Sequence, residues 1–249
     1  MKPFIFDARN GIHIVDLSKT LVQLEAACAF LKETVSKGGQ VLFVGTKKQA
    51  QEAMRDSAKQ CGQPYVTERW LGGTLTNMKT IKRSMSRLRE IEKMTVDGSI
   101  NNYVKQEQSM LRRELARLIK NLDGIRSMEK QPSALFIVDL KREHNAVAEA
   151  RRLKIPVVAI VDTNCDPTLV DYPIAGNDDA IRSIRIVLAV ITQTIGQAWA
   201  EFNAKYARKA EEAKEAEAAP APTPAPAPVE NPPAAPAASG EAPVPVPAA

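Results

Sequence analysis

The sequence predicts an α/β fold: a parallel sheet flanked by helices, of the flavodoxin/Rossmann-like kind, with an antiparallel coiled-coil helical hairpin inserted into it. Three observations predict this. The runs Val41-Leu42-Phe43-Val44-Gly45, Ala134-Leu135-Phe136-Ile137-Val138 and Pro156-Val157-Val158-Ala159-Ile160-Val161 have no polar face, so they suit strands buried on both sides. Helix-spaced apolar residues separate the strands, and such alternation implies a parallel sheet covered on both faces. Residues 76–127 carry helix periodicity and no strand signal.

In chain order, Ile12-His13-Ile14-Val15 reads as a short strand. Leu17, Leu21, Leu24, Cys28, Leu31 and Val35 then fall at spacings of three and four, giving one apolar helix face that Gly38-Gly39 ends. After the strand at 41–45, Thr46 opens a helix with Gln49 three residues on, a capping-box spacing. Gly62 closes that helix, and Tyr65-Val66 is a further short strand. Within 76–127, one helix is marked by Met78, Ile81, Met85, Leu88 and Ile91. Asp97-Gly98-Ser99 turns the chain, and Val104, Leu111, Leu115, Leu118 and Leu122 mark a second helix. A helix through residues 146–153 links the last two buried strands. Asn177 is placed to cap a long final helix, with Asp178 and Asp179 in its first turn and Ile181, Ile184, Leu188, Ile191, Ile195, Trp199 and Phe202 on one face.

These elements divide the chain into a discontinuous sheet domain (1–75 and 128–210), a basic hairpin insertion (76–127) and an acidic Pro/Ala-rich tail (211–249). The tail holds 11 of the chain's 17 prolines, and its composition cannot bury a core, so it is expected to be disordered, with a spacer role and an extended form over 218–249. Its six acidic residues and one lysine mask the charge of the rest. The chain of 249 residues has a formal charge of +5, but residues 1–210 hold 33 basic and 23 acidic residues, a net of +10. The hairpin alone carries twelve bases against six acids. Such a surplus points to a polyanionic partner.

Composition also excludes classes. The longest apolar runs are about seven residues, where a membrane helix needs about 20, and no secretory leader is visible. Three dispersed cysteines give neither a disulfide framework nor a zinc pair, so a cytoplasmic setting is expected. Gly45-Thr46-Lys47-Lys48 lacks the second glycine and the GK[ST] of a phosphate loop, and no GxGxxG occurs. Asp139, Asp162, Asp166 and Asp178 could form a metal or acid–base group, but their spacing does not fix them in one place. No metal, cofactor or catalytic residue is therefore assigned.

Candidate binding residues follow from charge. In an open parallel sheet, ligands bind at the carboxyl ends of the strands. Lys47, Lys48, Lys141 and Arg142 lie there, with the wrong sign for the positive end of a helix dipole. A bound phosphate would relieve that, and solvation of tolerated lysines is the alternative. Lys79, Lys82, Arg83, Arg87, Arg112 and Arg113 are the hairpin candidates. Arg69 lies beside Trp70 and the Gly72-Gly73 pair, where Trp70 could stack on RNA or anchor the hairpin in the core.

RWLGGTLTN (69–77), preceded by VLFVGTKKQAQEA and followed by IPVVAIVDTNCDP and NDDAIRSI, resembles the bacterial-type ribosomal protein S-two family, the second protein of the small ribosomal subunit. The resemblance runs from about residue 1 to 195. It implies an α/β domain with a protruding coiled-coil hairpin, a structural rather than enzymatic role, binding to small-subunit ribosomal RNA, contact with neighbouring ribosomal proteins, recruitment of the mRNA-binding protein S-one, and a bacterial, ribosome-bound location. Members usually carry a further His-rich block before the point matching Met1, and nothing that block does is carried over. Two other readings stand beside it: a sugar-phosphate or nucleotide-binding enzyme on the same sheet, and a helical adaptor. The first needs a phosphate loop or acid–base pair not visible here, and the second a neutral hairpin.

Overall fold

The computed structural model describes residues 1–218, with side-chain surroundings through residue 206. Residues 1 to 209 form one compact unit. A small antiparallel pair, β1 (Ile5–Arg9) and β2 (Ile12–Val15), comes first and stands apart from the main sheet. The sheet itself comprises β3 (Val41–Val44), β4 (Tyr65–Val66), β5 (Ala134–Val138), β6 (Val157–Val161) and β7 (Tyr172–Ala175). All four neighbouring pairs are parallel, in the order β4-β3-β5-β6-β7. Counting only these five strands, that is the order 2-1-3-4-5 of flavodoxin-like sheets, whose direction of winding reverses between the first and third strands. The reversal lies here between β3 and β5.

Side-chain alternation along the strands builds two cores. Val41, Phe43, Ala134, Phe136, Val158 and Ile160 face one side. There they meet Ala27, Leu31 and Val35 of α1 (Leu17–Ser36), Ala50, Met54 and Ala58 of α2 (Lys48–Gln60), and Ile184, Leu188, Ile191 and Ile195 of α6 (Ile181–Ala218). Leu42, Val44, Leu135, Ile137, Val157 and Ala159 face the other. They meet Ala146, Val147 and Ala150 of α5 (His144–Leu153), Ile81 and Met85 of α3 (Met78–Val96), and Leu122 at the end of α4 (Lys105–Leu122). Phe43 and Phe136 are fully buried, and truncating either to Ala costs about 3–5 kcal/mol by cavity formation. The start of α3 and the end of α4 thus lie in one cluster with the sheet. The two helices pack on each other, and Arg87 of α3 meets Glu114 of α4 at 3.4 Å.

Several details differ from expectation. β1 and β7 had no legible sequence signal. α2 begins at Lys48 with Lys47 as its cap residue, because Thr46 spends its hydroxyl on Glu143 and not on the helix. α6 begins at Ile181 rather than beside Asn177. Asn177 caps a preceding turn, its Oδ1 accepting from the amides of Asp179 (2.8 Å) and Ala180 (3.0 Å). Leu17 and Leu21 lie on an exposed stretch of α1. α6 also continues to Ala218, through 211–218 that were expected to belong to the tail. Ala, Glu and Lys there have high helix propensity. The rest of the tail, 219–249, lies outside the described residues.

Candidate nucleic-acid interface

α3 and α4 each display a polar stripe with the same spacing. Lys79, Lys82, Arg83, Ser86, Arg87 and Glu90 line a shallow open groove with Met78 on α3. Lys105, Gln108, Ser109, Arg112, Arg113 and Ala116 line another on α4. Both sets follow i, i+3, i+4, i+7, i+8, i+11, the spacing of a single helix face. The opposite face of α3 is apolar: Ile81, Met85, Leu88 and Ile91 are buried. Among the described residues, Lys79, Lys82, Arg83 and Arg112 make no ion pair, whereas Arg87 is held by Glu90 (2.9 Å) and Glu114 (3.4 Å). Arg113 folds back on its own helix, donating to Ser109 O (3.2 Å) and Oγ (3.3 Å).

The loop before α3 is organised by one carboxylate. Glu149, on α5, accepts from Trp70 Nε1 (3.0 Å) and the Gly73 amide (2.8 Å) with one oxygen. With the other it accepts from the amides of Leu75 (2.9 Å) and Thr76 (3.0 Å) and from the Thr76 hydroxyl (3.1 Å). Gly73 supplies a φ of +87°, and a Cβ there would sit 3.1 Å from Asn77 Cβ. Burial pushes the Glu149 carboxyl up, but these donors together outweigh it and hold its pKa below the usual carboxylate range. Trp70 is only 7% exposed, so it anchors the core and offers no stacking face. Arg69 beside it is exposed.

The third group sits at the carboxyl edge of the sheet, at the reversal between β3 and β5. Lys48, Lys141 and Arg142 are exposed there. Lys47 is not available to an external phosphate. Its ammonium lies 2.6 Å from Asp178 Oδ1, 2.6 Å from Asp179 Oδ1 and 3.7 Å from Asp139 Oδ2, and its side chain is 12% exposed. The anion expected at the start of α2 is supplied by the protein itself. Burial alone would lower the pKa of Lys47, but the bonds from Asp178 and Asp179 more than offset it and raise it above its ordinary value. Burial likewise raises Asp178, helped by the charge of Asp139 and opposed by Lys47. Asp139 adopts a left-handed φ of +70° and accepts from the Arg142 amide at 3.1 Å. Behind it, buried Glu143 accepts from the Thr46 amide (3.0 Å) and hydroxyl, and Arg142 Nε donates to the same hydroxyl at 2.8 Å. Burial pushes the Glu143 carboxyl up.

Of the four aspartates singled out from sequence, Asp139 and Asp178 meet at Lys47, and Asp162 lies beside Asp178, its Oδ2 accepting from the Asp178 amide at 3.4 Å. Asp166 stays apart, since it caps its own turn through Thr168. Asp162, Asp178 and Asp179 each bring one oxygen within 4.8 Å of the other two, a spacing suited to a metal ion. Sequence reasoning missed the roles of Glu143, Glu149 and Asp179. Glu149 carried no local signal, because all its partners lie more than 70 residues away in the chain.

Against known proteins, the model of the family described as Ribosomal protein S2 matches residues 1–198. The "Small ribosomal subunit protein uS2" of Mycobacteroides abscessus is 54% identical over 197 residues, 79% of this chain and 71% of that protein. The protein of the same name from Nocardia farcinica is 54% identical over 197 residues, 79% of this chain and 69% of its own length. That of Beutenbergia cavernae is 54% identical over 198 residues, 79% of this chain and 56% of its own. The matched region contains both helical stripes, the Glu149 loop and the carboxyl edge of the sheet.

Proposed function

We infer the function from one premise: the chain belongs to the ribosomal protein S2 family. It is a structural protein of the small ribosomal subunit and not an enzyme. Within that role, we propose that it binds small-subunit ribosomal RNA, with the insertion of residues 76–127 as the RNA-facing arm and the sheet of 1–75 and 128–210 as its mount. The observation that carries this reading is the pair of basic stripes on α3 and α4. A solvated helix face mixes charge signs, whereas Lys79, Lys82, Arg83 and Arg112 are left without carboxylate partners among the described residues. Phosphates are the chemistry that compensates them. Arg69, Lys48, Lys141 and Arg142 extend the basic surface in this proposal. Lys47 does not, being engaged by aspartates.

Contact with neighbouring ribosomal proteins, including protein S-one, is proposed for a different surface. Phe6 and Ile12 of the β1–β2 hairpin and Leu17, Leu21 and Val22 of α1 are exposed and apolar, and apolar surface suits a protein neighbour better than a phosphate backbone. The location that follows is the ribosome of a bacterium. Among the described residues no helix is long and apolar enough to cross a membrane. The enzyme alternative is not favoured, because the family to which the chain belongs is that of a ribosomal protein.

The test is co-sedimentation of the tagged chain with small subunits on sucrose gradients. Reversing three unpaired charges together (K82E, R83E and R112E) is expected to move the protein from the subunit fraction to the top of the gradient while its circular dichroism stays unchanged. Undiminished co-sedimentation would remove the helical arm from the RNA interface.

A further inference from the structure

The β1–β2 hairpin turns through the one Asn-Gly pair in the chain. Arg9 pairs with Ile12, so Asn10 and Gly11 form a two-residue loop. Both adopt left-handed backbone, with φ of +52° and +78°, as the tight turns that favour Asn-Gly demand. Both residues are exposed. Among the described residues the Gly11 amide donates to no backbone carbonyl, and the Asn10 side chain has no hydrogen-bond partner. A Cβ on Gly11 would meet nothing within 4 Å, so nothing crowds the peptide nitrogen that follows Asn10. The other asparagines lack this combination. Asn77 and Asn177 spend their side-chain oxygens on backbone amides, and Met78 and Asp178 follow them. Asn101 and Asn102 are exposed, but Asn and Tyr follow them.

We propose that Asn10 is a site of spontaneous covalent modification, in which the folded chain converts it to isoaspartate and aspartate. The Gly11 nitrogen attacks Asn10 Cγ. A new N–C bond closes a five-membered succinimide, the bond from Cγ to the side-chain nitrogen breaks, and ammonia leaves with the proton from the Gly11 nitrogen. Water then opens the ring. Attack at the main-chain carbonyl gives isoaspartate, with the chain running through Cγ, and attack at Cγ gives aspartate. Nothing is oxidised or reduced, and water is the only co-reactant. Either product places a new negative charge in the turn. Isoaspartate also adds a methylene to the main chain, and loop length sets the register of a hairpin. The pairs Ala8↔His13 and Asp7↔Ile14 are therefore weakened, in a ribbon where β1 has no other strand partner. The chemistry does not rest on the proposed RNA-binding role.

The experiment ages the purified full chain in mildly alkaline buffer at physiological temperature and digests it with endoproteinase Lys-C at set times. Among residues 1–19 only Asn10 carries a side-chain amide, so a mass gain in the peptide ending at Lys19 reports this residue. Labelling by isoaspartyl methyltransferase reports the isoaspartate product in the same peptide. The peptide ending at Lys105, which contains Asn101 and Asn102, is the internal reference. The expected result is deamidation at least tenfold faster at Asn10 than in the reference, rising with hydroxide concentration. Gly11→Ala should slow it at least tenfold, because a Cβ hinders the attacking nitrogen. Asn10→Gln should abolish both the mass gain and the methyl label, and circular dichroism verifies that both variants fold. Equal rates in the two peptides, or a mass gain that appears only when the chain is unfolded in urea, would overturn the site.

Discussion

Glu149 shows how far a single residue reaches. One carboxylate satisfies three backbone amides, an indole and a hydroxyl, and so shapes the loop from which α3 departs. Glu149→Gln keeps the size but turns an amide toward those donors. With charged hydrogen bonds contributing about 1.5–3 kcal/mol each and far from additively, the expected loss of unfolding free energy near neutral pH is about 2–3 kcal/mol. The pH dependence has a definite sign. Because the folded carboxyl lies below its unfolded value, its contribution is complete above the unfolded pKa and is lost as pH falls through the folded one. Urea unfolding of the two proteins should therefore differ near pH 7 and converge below about pH 4. A gap that stays constant with pH would show that the charge of Glu149 is not what holds the loop. At this scale the sequence was a poor guide. The lysine at the head of α2 read as a phosphate site, since its charge conflicts with the helix dipole. The aspartates that resolve the conflict follow two different strands, β5 and β7, whose meeting only the fold determines. Trp70 was better posed, because a large indole has few other places to go.

At the scale of elements, legibility followed burial. β3, β5 and β6 are buried on both faces and read as unbroken apolar runs. β7 lies at the sheet edge and contains Pro173, which an edge strand tolerates but which erases the strand pattern. β1 is short, half exposed and paired only with β2, so neither alternation nor hydrophobicity marks it. Among the described residues, the junction between the helical insertion and the sheet holds the tightest contact a glycine makes. A Cβ on Gly124 would fall 2.1 Å from Tyr65 O and 2.5 Å from its ring. The first is backbone of β4, which cannot give way without disturbing the sheet. Gly124→Ala is therefore expected to lower unfolding free energy by about 3 kcal/mol or more, in the range of severe overpacking. Because α4 enters the sheet domain just before this point, small-subunit association should fall with stability. Thermal unfolding of Gly124→Ala within a degree of the unaltered chain would mean that the junction relaxes freely.

For the whole molecule, charge is divided by place rather than spread evenly. The carboxyl edge of the sheet is acidic around Lys47, the helical arm is basic, and the acids of the tail lower the total to +5. Under the proposed RNA-binding role, this separation lets stability and RNA affinity be changed independently. Each lysine or arginine bound to a phosphate adds about 0.7–0.9 to the slope of log affinity against log salt. Replacing the unpaired residues Lys79, Lys82 and Arg83 by Gln removes three charges from α3 without breaking an ion pair among the described residues. Binding of the full chain to small-subunit ribosomal RNA should then lose about 2–3 from that slope, with little change in melting temperature. Arg87→Gln and Arg126→Gln give the opposite pattern. Arg87 bridges to Glu114 across the two helices, and Arg126 grips both oxygens of Glu92, so their loss should lower the melting temperature more than the slope. If neither the triple variant nor the ion-paired arginines changed the slope, the α3 stripe would be solvated surface. The RNA contacts would then have to be sought on the exposed cations of the sheet edge, Lys48, Lys141 and Arg142.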